Sequence, residues 1–146
     1  MPLDRPLRFC HITTFFPPEN FGGDGIFVHR LAGELAARGH VVEVIHDADA
    51  FRLLHRGAPA PVAPPPGVVV HTLRSRFGAL SPLITQQFGV PGLKAPRIRA
   101  ILDRGRFDVI HYHNISLVGG PGVLAYGDAV KLYSTHEHWL VCPMHV

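Results

Sequence analysis

Three short stretches carry the residues whose types and spacing could do chemistry: Gly22-Gly23-Asp24-Gly25, His113-Asn114 and His136-Glu137-His138. Glycines let a ligand approach the backbone closely. A glycine loop that turns into a helix also offers N–H groups at the positive end of the helix dipole, which suits a phosphate or another anion. Neutral His113 and His136 can hydrogen-bond sugar hydroxyls or a phosphate, or serve as acid or base. His111 and His113 stand two apart on an extended segment and so point to one side. His136 and His138 do the same if their strand runs that far. With Cys142 and His145 nearby, such histidines could hold a metal ion. Carboxylates to complete that site are scarce, however, with Glu137 the sole near candidate. His111 also lies inside a strand, where a satisfied core histidine is the plainer reading. No metal is expected.

Other chemistries fail on spacing. Gly22-Gly23-Asp24-Gly25 is neither G-x-G-x-x-G nor G-x-x-x-x-G-K-[ST], so nicotinamide and P-loop assignments do not apply. A flexible turn is the plain alternative for it. There is no G-x-S-x-G, and neither Ser116 nor Ser134 sits in a nucleophile-elbow context. Trp139, the single tryptophan, is either core filler or an apolar wall for a sugar or lipid portion of a ligand.

The elements that must position these residues follow from hydrophobic spacing. Leu7–Thr13 reads as a first strand, stopped by Pro17-Pro18. A helix is expected from about Asp24, a candidate N-cap, to Arg38. Phe27, Val28, Leu31, Ala32 and Leu35 form its apolar face, and Gly39 is its stop. Val41–His46 is a second strand, Phe51–Leu54 one helical turn, and APAPVAPPPG an extended surface connector. Val68–Leu73 is a third strand. Ser81–Gly92 is weakly periodic. Lys94–Arg104 is a helix with Ile98, Ile101 and Leu102 on one side and Lys94, Arg97 and Arg104 toward the other. A solvated basic face is the plainer reading there, and a membrane surface or acidic partner the alternative. Phe107–Tyr112 is a fourth strand, Gly119-Gly120-Pro121-Gly122 a break before a short apolar helix to about Tyr126, and Val130–Ser134 a fifth strand. Five strands alternating with helices imply an α/β fold, a Rossmann-like, doubly wound, mainly parallel sheet. Its ligand crevice lies beyond the C-terminal strand ends, where all three polar stretches fall.

At 146 residues with 47% hydrophobic and 17% charged, the chain suits one globular domain. No apolar run approaches the roughly 18 residues of a membrane span, and the N-terminus lacks the pattern of a signal peptide. Two cysteines, Cys10 and Cys142, form no disulfide framework and suit a reducing cytosol. The expected location is cytoplasmic, with the inner face of the membrane as the alternative. Net charge +3 permits an anionic partner but is too small to indicate nucleic acid.

Taken together, FFPPENFGGDGIFVHRLAGELAARGHVVEVI, FDVIHYHN and LYSTHEHWLVCP resemble, in this order, the N-terminal domain of glycosyltransferase family 4 (group 1) enzymes. Those enzymes often carry D-V-(I/V)-H-x-H and T-x-H-D-x-W-x-x-C-P. The resemblance implies a GT-B architecture and retaining transfer of a sugar from a nucleotide-sugar donor to a sugar, lipid or polysaccharide acceptor, usually without metal or other cofactor. It implies Gly22 and Gly23 at the donor diphosphate and acceptor, His136 near the reacting sugar, and His113 and Asn114 lining the cleft. Glu137 stands where aspartate is common. The family's C-terminal domain and its E-x7-E motif are not found in this sequence. The expectation is therefore an acceptor-side fragment, inactive alone. A non-catalytic, flavodoxin-like module for an anionic ligand is the alternative, and a histidine-based metal-dependent hydrolase a third.

Overall fold

The computed structural model describes residues 5–136. Five parallel strands form one sheet in the order β3-β2-β1-β4-β5. The strands are β1 (Arg8–Ile12), β2 (Val41–Asp47), β3 (Val68–Leu73), β4 (Val109–Tyr112) and β5 (Val130–Tyr133). The helices are α1 (Gly23–Ala37), α2 (Ala48–Leu54), α3 (Leu80–Phe88) and α4 (Ala95–Gly105). Short 3₁₀ turns occupy Gly92–Lys94 and Pro121–Ala125.

Period-two alternation in β1 sends its side chains to two different cores. Cys10 and Ile12 join Ile110, Tyr112, Ile98, Ile101 and Leu102, so α4 covers that face. Val42 and Val44, with half-buried Phe9, pack against Val28 and Ala32 of α1 on the opposite face. Helices thus lie on both sides, as a doubly wound sheet requires. His11 shares the α1-side face with Phe9, and the register sets it directly opposite His111 on β4.

Most elements fall where the spacing puts them, with instructive differences at their ends. Helix α1 starts at Gly23, not at an Asp24 cap. Gly22 takes the cap position with φ 90° and no side-chain cap bond, a left-handed backbone that glycine adopts without strain. Gly39, φ 86°, ends the helix as expected. Helix α2 is longer than one turn because Asp47 caps it, accepting from the Asp49 and Ala50 N–H groups at 2.9 and 3.2 Å. The proline connector is extended and lies on α1. Pro65 is buried there, and the His29 ring meets the Ala63 carbonyl at 3.0 Å.

Lys94 departs most from the expected basic face. Arg97 and Arg104 are exposed, but Lys94 is 3% exposed and joined to two buried carboxylates, Asp47 and, at 3.1 Å, Asp49. Counted at about 100° per residue, Lys94 falls within roughly 40° of Ile98 and 20° of Ile101, on the apolar side of the helical register. Its charge pointed outward; its position points in.

Candidate functional site

The crevice forms where the strand order reverses, between the C-terminal ends of β1 and β4. The chain leaves β1 through a tightly tied loop. The Thr14 N–H donates to the Asn114 carbonyl at 2.6 Å, and the Asp47 N–H to the Thr14 carbonyl at 3.1 Å. Thr14 Oγ1 accepts the Leu117 and Val118 N–H groups, both at 3.2 Å. These bonds pin the ends of β1, β2 and β4 to one another.

Over them opens a cleft of about 450 Å³, lined by Phe15, Phe21, Gly23, Asp24, Asn114 and His136. Gly23 at the α1 N-terminus has open space where a side chain would begin, with no atom within 4 Å. Asn114 is a strap: its amide donates to Asp24 Oδ2 at 3.1 Å, and its Oδ1 accepts from the Ser116 hydroxyl at 2.7 Å. Asp24 Oδ1 accepts the Gly25 N–H at 2.8 Å. A carboxylate therefore sits at the helix terminus and already engages one of its N–H groups. That weakens this corner as a phosphate site and favours groups that donate hydrogen bonds, such as hydroxyls.

Behind the cleft lies a line of imidazoles. His136, exposed, meets His113 Nδ1 through Nε2 at 3.2 Å. His113, fully buried, meets His11 Nδ1 through its own Nε2 at 3.1 Å. His111, half-buried beside them, meets Ser134 Oγ through Nε2 at 2.8 Å. Phe27 packs edge-on against His113 and His136. Burial, followed by the neighbouring imidazoles, pushes His113 down to about 2 and His11 to about 3. His111 is lowered by burial and then by His136. The inner rings are therefore neutral at pH 7, each with one N–H. Neutral His113 can donate to only one of its two partners, so the tautomers of the line are coupled.

The structure brings together Gly23, Asn114 and His136 around the cleft, with Gly22 capping α1 beside it and His113 one layer behind. Glu137, His138, Trp139, Cys142 and His145 lie outside the described residues. Sequence reasoning missed Phe15 and Phe21, whose tilted rings pack with centroids 4.4 Å apart and wall the cleft; their places just before the glycine loop were the available signal. It weighed Asp24 only as a cap. It also missed His11, a lone histidine in an apolar strand that only the β1–β4 register pairs with His111.

The glycosyltransferase family 4 model matches residues 21–144, most of the chain. The chain belongs to glycosyltransferase family 4. In this family 4 domain the match spans all three polar stretches, from the glycine loop to the segment after β5. No curated protein matches the chain. Among the described residues of this family 4 chain, no helix is long and apolar enough to cross a membrane.

Proposed function

We propose that this chain is the acceptor-side half of a retaining glycosyltransferase that moves a sugar from a nucleotide-sugar donor to a hydroxyl of a sugar, lipid or polysaccharide acceptor. The observation that carries the reading is the cleft itself: Asp24, Asn114 and His136 offer polar atoms to hydroxyls, and Phe21 offers an aromatic face to the apolar side of a sugar ring. His136 is the catalytic candidate, an imidazole at the cleft wall placed to bind or relay a hydroxyl proton. Gly22 and Gly23 leave room for the donor diphosphate to graze the α1 terminus. Because Asp24 is close by, the cations that neutralise that diphosphate come from a second, donor-binding half. Glu137 belongs to the same set by its place in the family motif. The reaction needs no cofactor. Exposed Arg97, Arg99 and Arg104 on α4 offer a peripheral contact to an acidic membrane surface at the cytoplasmic face.

Two substitutions test the cleft. Gly23→Val fills open space, so thermal stability should change by about 1 kcal/mol or less, while sugar binding, followed by amide shifts of Gly23 and Asn114, should weaken at least about tenfold. Unchanged binding would remove Gly23 from the site. Gly22 makes a poorer test, since any side chain at φ 90° strains the backbone. His136→Ala, at an exposed position, should alter stability by under about 0.5 kcal/mol and, in the two-domain enzyme, cut transfer by about 10²–10⁴-fold. Equal losses in both would mark His136 as structural. Reading the coding DNA past Val146 tests the two-domain reading. A second Rossmann-like half with E-x7-E is expected, and a stop codon would move the anion-binding module to the front.

A further inference from the structure

His11, His111 and His113 each offer a ring nitrogen, and the three nitrogens lie within 4.8 Å of one another. They converge because of register: His11 and His111 are paired residues of neighbouring parallel strands, and His113 follows two residues on, on the same face. One edge of the triangle, His11 Nδ1 to His113 Nε2, is 3.1 Å. Two imidazoles on a tetrahedral zinc ion, each with a Zn–N bond of about 2.0–2.1 Å, hold their nitrogens roughly 3.3 Å apart. The triangle therefore closes on an ion with movements of about an ångström.

The surroundings fit as well. Imidazoles that bind metal usually give their other N–H to an oxygen or nitrogen acceptor, which fixes the tautomer. His113 Nδ1 has His136 Nε2 as that acceptor, and His111 Nε2 has Ser134 Oγ. His11, which faces the cluster through Nδ1, is the one ring whose other nitrogen, Nε2, is buried without a hydrogen-bond partner among the described residues. Three neutral nitrogen ligands without a carboxylate suit borderline transition ions, zinc foremost, and not calcium or magnesium. His111 is half-buried and lies beside exposed Leu132 on β5, so the cluster is not sealed from solvent.

We propose that His11, His111 and His113 form a binding site for one divalent transition-metal ion, with zinc as the natural occupant, held behind the cleft through one ring nitrogen of each. In this site His113 is shared: it ligates through Nε2 and holds His136 through Nδ1. Occupancy thereby fixes the tautomer and position of His136 without placing the ion on the substrate. The inference is independent of the transferase reading and departs from the expectation of no metal, which grouped His111 and His113 with residues after β5 and overlooked β1.

The test is a Co2+ titration of the chelator-treated full chain, read by the visible bands of nitrogen-ligated cobalt and by displacement with Zn2+. One equivalent per chain is expected. His11→Phe and His111→Phe should each weaken uptake by about 100-fold, the upper range for loss of a supporting contact. Should either variant fail to fold, ¹⁵N spectra of the native chain decide the matter: the ring nitrogens of His11, His111 and His113 shift together at one equivalent of Zn2+. Absence of saturable uptake overturns the proposal. So does uptake that survives both variants, and so does uptake that vanishes on replacing His138, Cys142 and His145 while the three ring signals stay unmoved.

Discussion

Acidification from pH 7 to pH 5, with chelator present, should remove most of the stability of this chain while leaving the denaturant m value unchanged. Three fully buried histidines carry the effect. Burial lowers His11 to about 3, His46 to about 4 and His113 to about 2, against about 6.5 in an unfolded chain. Below pH 6.5 the unfolded state takes up protons that the folded state refuses, so stability is present above that value and declines as pH falls. Each refused proton costs about 1.4 kcal/mol per pH unit, and three together cost roughly 6 kcal/mol by pH 5. That is comparable to the total stability of an ordinary domain, about 5–15 kcal/mol. Two carboxylates act in other ways. Asp108, held down to about 2 by Arg5 and by the Arg8 N–H, loses its contribution only below its unfolded value near 4. Asp47, raised by burial despite Lys94, is relieved by protonation. The measurement is urea unfolding at half-unit steps of pH. His46→Gln, whose native ring meets Thr72 Oγ1 at 2.9 Å, should reduce the slope by about one proton's share. A midpoint that stays level from pH 7 to 5 would show that the folded chain accepts these protons and that the buried rings are not held neutral.

Lys94→Met should cost about 3–5 kcal/mol, the loss typical of removing one partner from a buried ion pair. Methionine preserves most of the volume of the lysine stem, so packing contributes little and the charge contributes nearly all. What remains is Asp47 at 0% and Asp49 at 1% exposure with no cation between them. Both are committed elsewhere: Asp47 caps α2, and Asp49 Oδ2 accepts the Ser75 N–H at 2.6 Å. The triad thus joins the end of β2, α2, the loop after β3 and the 3₁₀ turn before α4. Urea unfolding at pH 7 checks the size of the loss. Adding Asp47→Asn and Asp49→Asn to Lys94→Met should recover part of it by removing the stranded charge. A loss below about 1 kcal/mol would mean that solvent reaches the carboxylates.

The comparison between sequence and structure turns on where each signal resides. The strands and α1 are legible because runs such as Val41-Val42-Glu43-Val44-Ile45 and the three- and four-residue spacing of α1 are local patterns. The crevice was legible too, since Gly23, Asn114 and His136 each follow or precede a readable strand or helix end. Lys94 was misplaced although its register pointed inward, because a charge is ordinarily solvated and its two carboxylates lie more than forty residues away. His11 was passed over for a related reason. Nothing in Phe9-Cys10-His11-Ile12 says which strand will lie beside it, and the partner, His111, is one hundred residues downstream. Strand order and register are non-local, and the histidine cluster depends on both.

The reversal of strand order between β1 and β4 has a kinetic meaning as well as a geometric one. Gly23 and Asp24 enter the cleft from the first sixth of the chain, and Asn114 and His136 from its last quarter. The Asp24–Asn114 bond closes a loop of ninety residues, among the longest contacts this chain makes, and such closures come late in folding. A partly folded chain therefore has no weak version of the cleft; it has none. Any molecule that occupies the finished cleft draws the whole population toward the native state, by RT ln(1 + [L]/Kd). Thermal shift in the presence of candidate sugars is thus both a search for the ligand and a gauge of complete folding.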